Sequence, residues 1–170
     1  GILENNPLHI DMVAAAKLAK LQFIVNVVIN DDKQTVAAFA GDFEAAHAAG
    51  VAFLRPYCQV APVYADVVIT SNGGAPLDQN IYQSVKGLTA AEACAKNGAV
   101  LIMCAELADG TGGETFYKSL RDCETPASHF AKCVATPQNQ TIPDQWESQI
   151  LARILIKQRI IFVSRPEMET

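Results

Sequence analysis

The stretch from Asp66 to Leu88 constrains the fold of this chain more than any other part of the sequence. It contains an apolar run typical of a buried strand, a loop with Gly73 and Gly74, and a helical pattern that opens at Asp78. Open α/β sheets are built from such strand–loop–helix units, and they bind ligands beyond the ends of their strands. The glycines let backbone approach a ligand closely, and a helix N-terminus favours anions. The stretch therefore predicts an anion-binding crevice.

The predicted helix in this stretch has one polar side and one apolar side. At about 100° per residue, four polar side chains fall within a single arc, namely Gln79, Tyr82, Gln83 and Lys86. The apolar side lies opposite and consists of Leu77, Ile81, Val85 and Leu88. We expect the apolar side to pack on a sheet. The polar side is either an ordinary solvated surface or one wall of a site, and the glycine loop before it favours a site.

The same pattern predicts that this helix is short. Asp78 is placed to accept hydrogen bonds from the first free N–H groups as an N-cap. Gly87 suits the position just beyond the last turn. A second helix is then predicted from Thr89 to Asn97, opened by Thr89 and Glu92 as a capping box.

Composition and charge exclude several classes of protein. Of the 170 residues, 50% are hydrophobic and 18% are charged, which excludes a disordered chain and is enough for one core. The net charge is −5 and basic patches are absent, so we expect no nucleic-acid partner. No apolar run reaches the roughly 18 residues needed to span a bilayer, and no signal peptide is visible. We expect no membrane partner and a cytoplasmic location.

Cysteine and histidine spacing predicts no metal site. The five cysteines are an odd number without a C-x-x-C pair, which favours buried, reduced thiols. His9, His47 and His129 lie far apart in the sequence, and metal ligands are usually more closely spaced.

Helical and strand patterns alternate along the chain and predict an α/β fold. We expect three layers, with a small, mostly parallel sheet flanked by helices, plus an N-terminal helix and β-hairpin segment. Prolines near residues 56–62 predict a boundary between residues 1–60, a helix–hairpin–helix segment, and residues 61–170, a compact α/β domain. The predicted helices lie at 7–20, 42–55, 78–87, 89–97, 114–120 and 144–157, and the strands at 21–29, 34–40, 66–70, 99–105 and 159–164.

Two features farther along the chain extend the predicted site. A second glycine loop, Asp109–Gly113, follows an apolar strand and in a parallel sheet would lie at the same edge as the first loop. It fits a mobile surface turn equally well. Trp146 lies in the first turn of the last helix, where Asp144 and Glu147 are predicted to form a capping box. As the sole tryptophan it either walls a pocket or plugs the core.

Several segments resemble the C-terminal part of the nickel-dependent lactate racemase family. The longest is the run Asn72–Gly87, which continues into 89–93. Shorter ones resemble that family's glycine-rich loop, its late tryptophan helix and two N-terminal motifs, at 109–114, 144–147, 6–9 and 40–42. The resemblance covers nearly the whole chain. Ala75 and Thr111 depart from it, since many relatives carry an aromatic residue and often a histidine there, and both changes bear on substrate choice.

The resemblance implies a 2-hydroxy-acid racemase that uses a nickel pincer nucleotide. In that family hydride leaves C2 of the hydroxy acid, a 2-keto acid stays bound, and hydride returns to either face. By resemblance, Gln83 and Lys86 contact the substrate, and Tyr82 and Trp146 line the pocket. Three further residues are possible loop contacts, namely Asn72, Gly73 and Gly74.

The resemblance also implies that this chain is one part of the enzyme. No cluster here resembles the family's paired-histidine and lysine cofactor motif. The nickel pincer nucleotide would therefore be bound by an N-terminal half that this chain lacks, and residues 1–60 would be a hinge or the tail of that half. The implied partners are a small 2-hydroxy acid and the N-terminal half of the same polypeptide. We expect no catalytic residue in this chain and no activity from it alone.

The residues by themselves leave a second function open. A non-catalytic, Rossmann-like module could use the same crevice to hold a small carboxylate or another anion. The sequence feature that would distinguish a racemase from such a binding module is the cofactor motif, and this chain does not contain it.

Overall fold

The structure, a computed structural model, describes residues 2–166. Contacts divide the chain into two compact units, Gly1–Ala61 and Pro62–Thr170, here called the N-terminal unit and the C-terminal unit. Across the described range, every helix is too short or too polar to cross a membrane.

The N-terminal unit is a β-hairpin covered by a helix, preceded by another helix. Its elements are α1 (Pro7–Leu18), β1 (Ile24–Ile29), β2 (Thr35–Gly41) and α2 (Phe43–Cys58). β1 and β2 pair antiparallel, and α2 packs on both strands. The side chains of Asn6 and Asp42 cap the two helices. The predicted N-terminal helix and β-hairpin are confirmed.

The C-terminal unit is built on a parallel sheet. Its elements are β3 (Ala65–Ser71), α3 (Ile81–Glu92), β4 (Ala95–Cys104), α4 (Glu114–Arg121), α5 (Pro126–Ala135), a 3₁₀ turn (Gln138–Gln140), α6 (Gln145–Lys157) and β5 (Arg159–Val163). The strands lie in the order β3-β4-β5, and both pairs are parallel. This confirms the predicted α/β class with a small parallel sheet and flanking helices.

The core of the C-terminal unit lies between the sheet and two helices. α3 packs on β3 and β4, α6 packs on β4 and β5, and the two helices contact each other. α4 and α5 pack on α6. The largest fully buried apolar side chains come from these elements and their loops, namely Phe116, Leu88, Leu101, Met103, Leu107, Ile154 and Val85.

The predicted end of α3 at Gly87 is wrong. One helix runs from Ile81 to Glu92, and Gly87 lies inside it. A Cβ atom at Gly87 would collide with the Asn72 side chain and lie 3.1 Å from the Met103 methyl carbon. Glycine is therefore required because α3 packs closely on the loop after β3, and not because the helix stops there.

The predicted helix from Thr89 to Asn97 is also wrong, since its first residues belong to α3 and its last residues to β4. The Thr89 hydroxyl donates to the Lys86 carbonyl within α3 at 2.6 Å and caps nothing. Gly98, the residue after the predicted end of that helix, lies inside β4 with a φ of 80°.

The helix α5 is missing from the predicted elements, although its sequence carries a start signal. Thr125 and Ser128 form a capping box, and Pro126 occupies the first helical position. A threonine followed directly by proline is a recognised helix start.

We expect Gly87→Ala to destabilise the chain by about 1–3 kcal/mol, because the added methyl group must displace the Asn72 side chain. Gly50→Ala is a matched control, because Gly50 lies inside α2 and its Cβ would meet only the Phe39 ring at an ordinary 3.4 Å. It should change stability by less than about 1 kcal/mol, in the stabilising direction. Chemical denaturation of both variants measures the difference, and equal effects would contradict this account of α3.

Candidate functional site

Asn80, and not Asp78, caps α3. The Asn80 side-chain oxygen accepts from the Gln83 N–H at 2.8 Å, and its amide nitrogen donates to Asp109 at 3.1 Å. Asp78 is buried, and one of its carboxylate oxygens accepts from the Glu106 N–H at 3.0 Å. The predicted cap is therefore wrong by two positions, because Asp78 instead fastens the start of the helix to the end of β4.

The second glycine loop closes the N-terminus of α3. The carbonyls of Gly110 and Thr111 accept from the N–H groups of Ile81 and Tyr82 at 3.1 and 3.2 Å. Together with the Asn80 cap, these bonds satisfy the first three N–H groups of the helix. These N–H groups are therefore already occupied, so an anion in the predicted crevice would have to be bound by side chains.

Glycine is required at one position of this second loop. A Cβ atom at Gly112 would lie 2.7 Å from the Tyr82 Cβ and 3.2 Å from the Asn80 side chain. Gly112 also has a φ of 89°, which side-chain-bearing residues rarely adopt. The loop can pack this closely on α3 only because Gly112 has no side chain.

The loop after β3 is fastened to α3 by Asn72. The Asn72 amide donates to the carbonyls of Leu77 and Gln83 at 2.7 and 2.6 Å. Its donors are therefore used within the chain. Gly73 and Gly74 follow with φ values of 84° and 88°, and Gly73 is exposed at the surface.

Gln83 and Lys86 form a pair of hydrogen-bond donors on α3. The Lys86 ammonium donates to the Gln83 side-chain oxygen at 2.6 Å. Because that oxygen accepts from the ammonium, the amide nitrogen of Gln83 is left to donate elsewhere. Lys86 is exposed and Gln83 is half-buried. Two such donors side by side suit a carboxylate, which accepts through two oxygens.

Tyr82 joins α3 to the start of α6. Its hydroxyl donates to an Asp144 carboxylate oxygen at 3.1 Å, and its ring meets the Trp146 ring edge-on at a centroid distance of 6.3 Å. A second edge-on contact, to Phe116, anchors the ring in the core. Burial raises the pKa of Tyr82 above its ordinary value, and the hydrogen bond to Asp144 raises it further.

Trp146 is a surface residue, since its side chain is 53% exposed. It therefore does not plug the core, and its indole ring is available to cover a neighbouring molecule. The predicted capping box at this helix start is wrong, because Asp144 has a φ of 64° and its side chain caps nothing. The Asp144 carboxylate binds the Tyr82 hydroxyl instead.

Glu147, the residue after Trp146, carries a buried carboxyl group. It is only 1% exposed, and its Oε1 atom has no hydrogen-bond partner within the described part of the chain. Burial raises the pKa of Glu147 to about 7, against a lowering influence of Lys86 and a raising influence of Asp144. The sequence pattern predicts Glu147 in a capping box and does not predict its burial. A glutamate in a helix between Trp146 and Ser148 carries no local signal of burial.

The structure thus brings together the four side chains expected to contact substrate. Tyr82, Gln83 and Lys86 share one side of α3, and Trp146 joins them through Tyr82. The glycine loops are held against the same helix, but the Asn72 amide serves the chain itself. The cluster is an open surface with an ammonium, an amide and two aromatic rings.

A separate cavity of about 570 Å³ lies between α4, α5 and the start of α6. Its buried groups are His129 and Cys133, which lie 3.5 Å apart, and His129 is also hydrogen-bonded to Ser148 at 2.9 Å. Burial lowers the pKa of His129 and raises that of Cys133, so both groups are held neutral. A neutral thiol is a weak nucleophile, and this cavity offers no activated group.

Residues 2–166 contain no group of three or more histidine, cysteine, aspartate or glutamate side chains that could hold a metal ion. These described residues therefore do not fit a nickel centre.

The chain is similar in sequence to lactate racemases. The family model of the lactate racemase C-terminal domain matches residues 60–170. A curated lactate racemase from Thermoanaerobacterium thermosaccharolyticum is 54% identical over 164 residues, which cover 96% of this chain and 38% of that protein. One from Lactiplantibacillus plantarum is 51% identical over 164 residues, which cover 96% of this chain and 39% of that protein.

A solved structure matches as well. The lactate racemase apoprotein from Thermoanaerobacterium thermosaccharolyticum superposes with a TM-score of 0.92 at 53% identity, covering 98% of this chain and 40% of that one. The chain therefore spans about two fifths of the length of the curated relatives it matches.

Glu147 should make the stability of the chain depend on pH. Its pKa is raised from 4.5 to about 7 in the folded state, so the folded state binds more protons than the unfolded state between these values. Stability should therefore fall as pH rises through this window, by on the order of 1–3 kcal/mol. Glu147→Gln should remove that fall, whereas Glu114→Gln, at an exposed carboxylate, should keep it. Denaturation at several pH values checks this, and parallel curves for wild type and Glu147→Gln would contradict it.

Proposed function

We propose, because this chain belongs to the family of lactate racemase C-terminal domains, that it is the substrate-contacting part of a 2-hydroxy-acid racemase. The observation that carries the proposal is the hydrogen-bonded pair of Lys86 and Gln83, which offers a charge and an amide donor on one turn of α3. Its ligand would be a small 2-hydroxy acid, with lactate as the first candidate.

The Lys86–Gln83 pair would hold the carboxylate of the substrate. An ammonium and a neutral amide both donate, and a charge-assisted bond from Lys86 is roughly twice as strong as a neutral one. The 2.6 Å bond between the two side chains fixes their relative position before the substrate arrives. Such pre-organisation lowers the entropy lost on binding.

Tyr82 and Trp146 would exclude water from the bound substrate. The two rings meet edge-on, and the Trp146 ring extends to the surface where a second body could close on it. Removing water strengthens the bonds that Lys86 makes and keeps a reactive keto acid from escaping. The Tyr82 hydroxyl is tied to Asp144, so its role is to set the position of the ring.

The redox chemistry would come from outside this chain. The nickel pincer nucleotide implied by the resemblance would supply hydride transfer, and we propose that the N-terminal half of the same polypeptide binds it. The greater length of the curated relatives supports such a half. Residues 1–60 would be its tail or the hinge that joins it. In support of this, the family model begins only at residue 60.

The 170-residue chain alone should not racemise lactate, because the proposed hydride acceptor is bound elsewhere. Loss of optical rotation from D-lactate measures this directly. Adding a separately produced N-terminal half with its cofactor should restore turnover. Turnover by the chain alone would contradict the proposed division of labour. No turnover by a folded pair would favour the alternative function, a non-catalytic module that binds a small anion.

Lys86→Ala in the full-length protein should lower kcat/KM by an amount equivalent to about 2–5 kcal/mol, because a substrate charge loses its partner in a closed site. Lys96→Ala is the matched control, since Lys96 forms an exposed ion pair with Asp66 on the sheet. Exposed pairs contribute less than about 1 kcal/mol. An equal kcat/KM for Lys86→Ala and the wild type would show that Lys86 does not contact the substrate.

A further inference from the structure

We propose that Glu147 is a positioning residue that couples binding of the substrate carboxylate to uptake of a proton. In the empty site, the nearby charge of Lys86 favours the ionised form of the buried carboxyl group. When an anion occupies the Lys86–Gln83 pair, Glu147 takes up a proton and stays neutral beneath it. This inference rests on the proposed function, because it assigns the anion to the same pair of donors.

The first support is the burial of Glu147 in a place where no hydrogen bond compensates. The residue is 1% exposed, and its Oε1 atom has no partner among residues 2–166. A buried, charged carboxylate without hydrogen bonds is strongly unfavourable, so a group in this position tends towards its neutral form. If this position served only to fill the core, an uncharged side chain of similar size would do so with a smaller desolvation penalty than glutamate.

The second support is that Glu147 lies within the electrostatic reach of the proposed site. Tyr82 contacts both Asp144 and Trp146, which precede Glu147, and the charge of Lys86 on the same helix opposes the rise in the pKa of Glu147 that burial causes. Glu147 also directly follows Trp146, and its N–H donates to the Asp144 carbonyl at 3.1 Å. The Lys86 ammonium itself donates to the Gln83 side-chain oxygen.

The charges around Glu147 come from the elements packed on α6. From α3, Lys86 lowers its pKa, and before α6, Asp144 raises it. From α5, the His129 imidazole binds Ser148, the next residue in the chain. α4 contributes the uncharged Phe116, and the buried residues of β4 are apolar. Farther along the helices, Arg153 and Glu92 pair with each other at 2.6 Å.

The sign of the coupling follows from these charges. A bound carboxylate adds a negative charge near Glu147 and takes up part of the Lys86 charge, and both effects favour the protonated form. Conversely, an ionised Glu147 competes for Lys86 and repels the anion. By linkage, the anion should bind more weakly as pH rises through the range in which Glu147 ionises, and binding should take up protons there. With the Glu147 pKa at about 7, that range is centred near neutrality.

Burial shifts the pKa values of His129 and Tyr82 away from this range, in opposite directions. Burial keeps the His129 imidazole neutral above its lowered pKa, below 6.5. The pKa of Tyr82 is raised above 10.0. A pH dependence centred near neutrality that disappears in Glu147→Gln therefore belongs to Glu147.

The test uses the full-length protein and oxamate, a small carboxylate that has no hydrogen on C2 and so cannot be racemised. Isothermal titration in two buffers with different ionisation enthalpies gives the Kd and the number of protons taken up. We expect the Kd to rise roughly threefold or more between about pH 6 and about pH 8, with net proton uptake near pH 7. In Glu147→Gln both effects should vanish, and in Glu114→Gln both should persist.

A measurement on the wild-type protein does not depend on whether the Glu147→Gln variant folds. Carbon-13 NMR of the Glu147 carboxyl group in the wild-type protein should show its titration midpoint moving to higher pH when oxamate is added. An unchanged midpoint, or the same pH dependence in wild type and Glu147→Gln, would overturn the coupling while leaving the site intact. Absence of oxamate binding at every pH would overturn the proposed function itself, so the two failures are distinguishable.

Discussion

The first turn of α3 is the part of the molecule on which the proposed site depends. Asn80 caps the helix and reaches Asp109, while the carbonyls of Gly110 and Thr111 take up the next N–H groups. These bonds fix the start of the helix against the loop after β4, and Asn72 does the same for the loop after β3. Both loops hold the first turn of α3, from which Tyr82 and Gln83 project, and Lys86 follows on the next turn with its ammonium bound to Gln83. The anion-binding groups of the proposed site would consequently be side chains, since the backbone donors are used within the chain.

Much of this arrangement could be predicted from periodicity. The two-sided helix is predicted from the spacing of Val85 and Leu88 against Tyr82 and Lys86, which requires only helix geometry. The strand and the loop are predicted from the apolar run and the two glycines that precede this helix. The helix ends could not be predicted in the same way. Gly87 has the composition of a helix end, but it is required by contact with Asn72, which lies 15 residues earlier in the sequence. Asp78 and Asn80 are both good caps, and the contacts with Glu106 and Asp109 decide between them.

Glu147 shows a different limit of sequence reasoning. Its neighbours predict an exposed first turn of a helix, where a glutamate usually supports the helix dipole. In the structure the same carboxyl group is buried, and burial raises its pKa against the opposing charge of Lys86. Burial of a residue at a helix start depends on which other helix packs there, and local spacing does not contain that information. Trp146 is the reverse case, since the sole tryptophan of the chain lies at the surface.

The proposed site has the character of one wall of a pocket, with an exposed ammonium, an exposed indole ring and a buried proton-holding carboxyl group. The most direct measurement is a crystal structure of the full-length protein with bound lactate. The lactate carboxylate is predicted to lie within about 3.5 Å of the Lys86 ammonium or the Gln83 amide, with Trp146 covering it. Lactate bound elsewhere, with Lys86 and Trp146 left in solvent, would contradict the assignment of this surface to substrate.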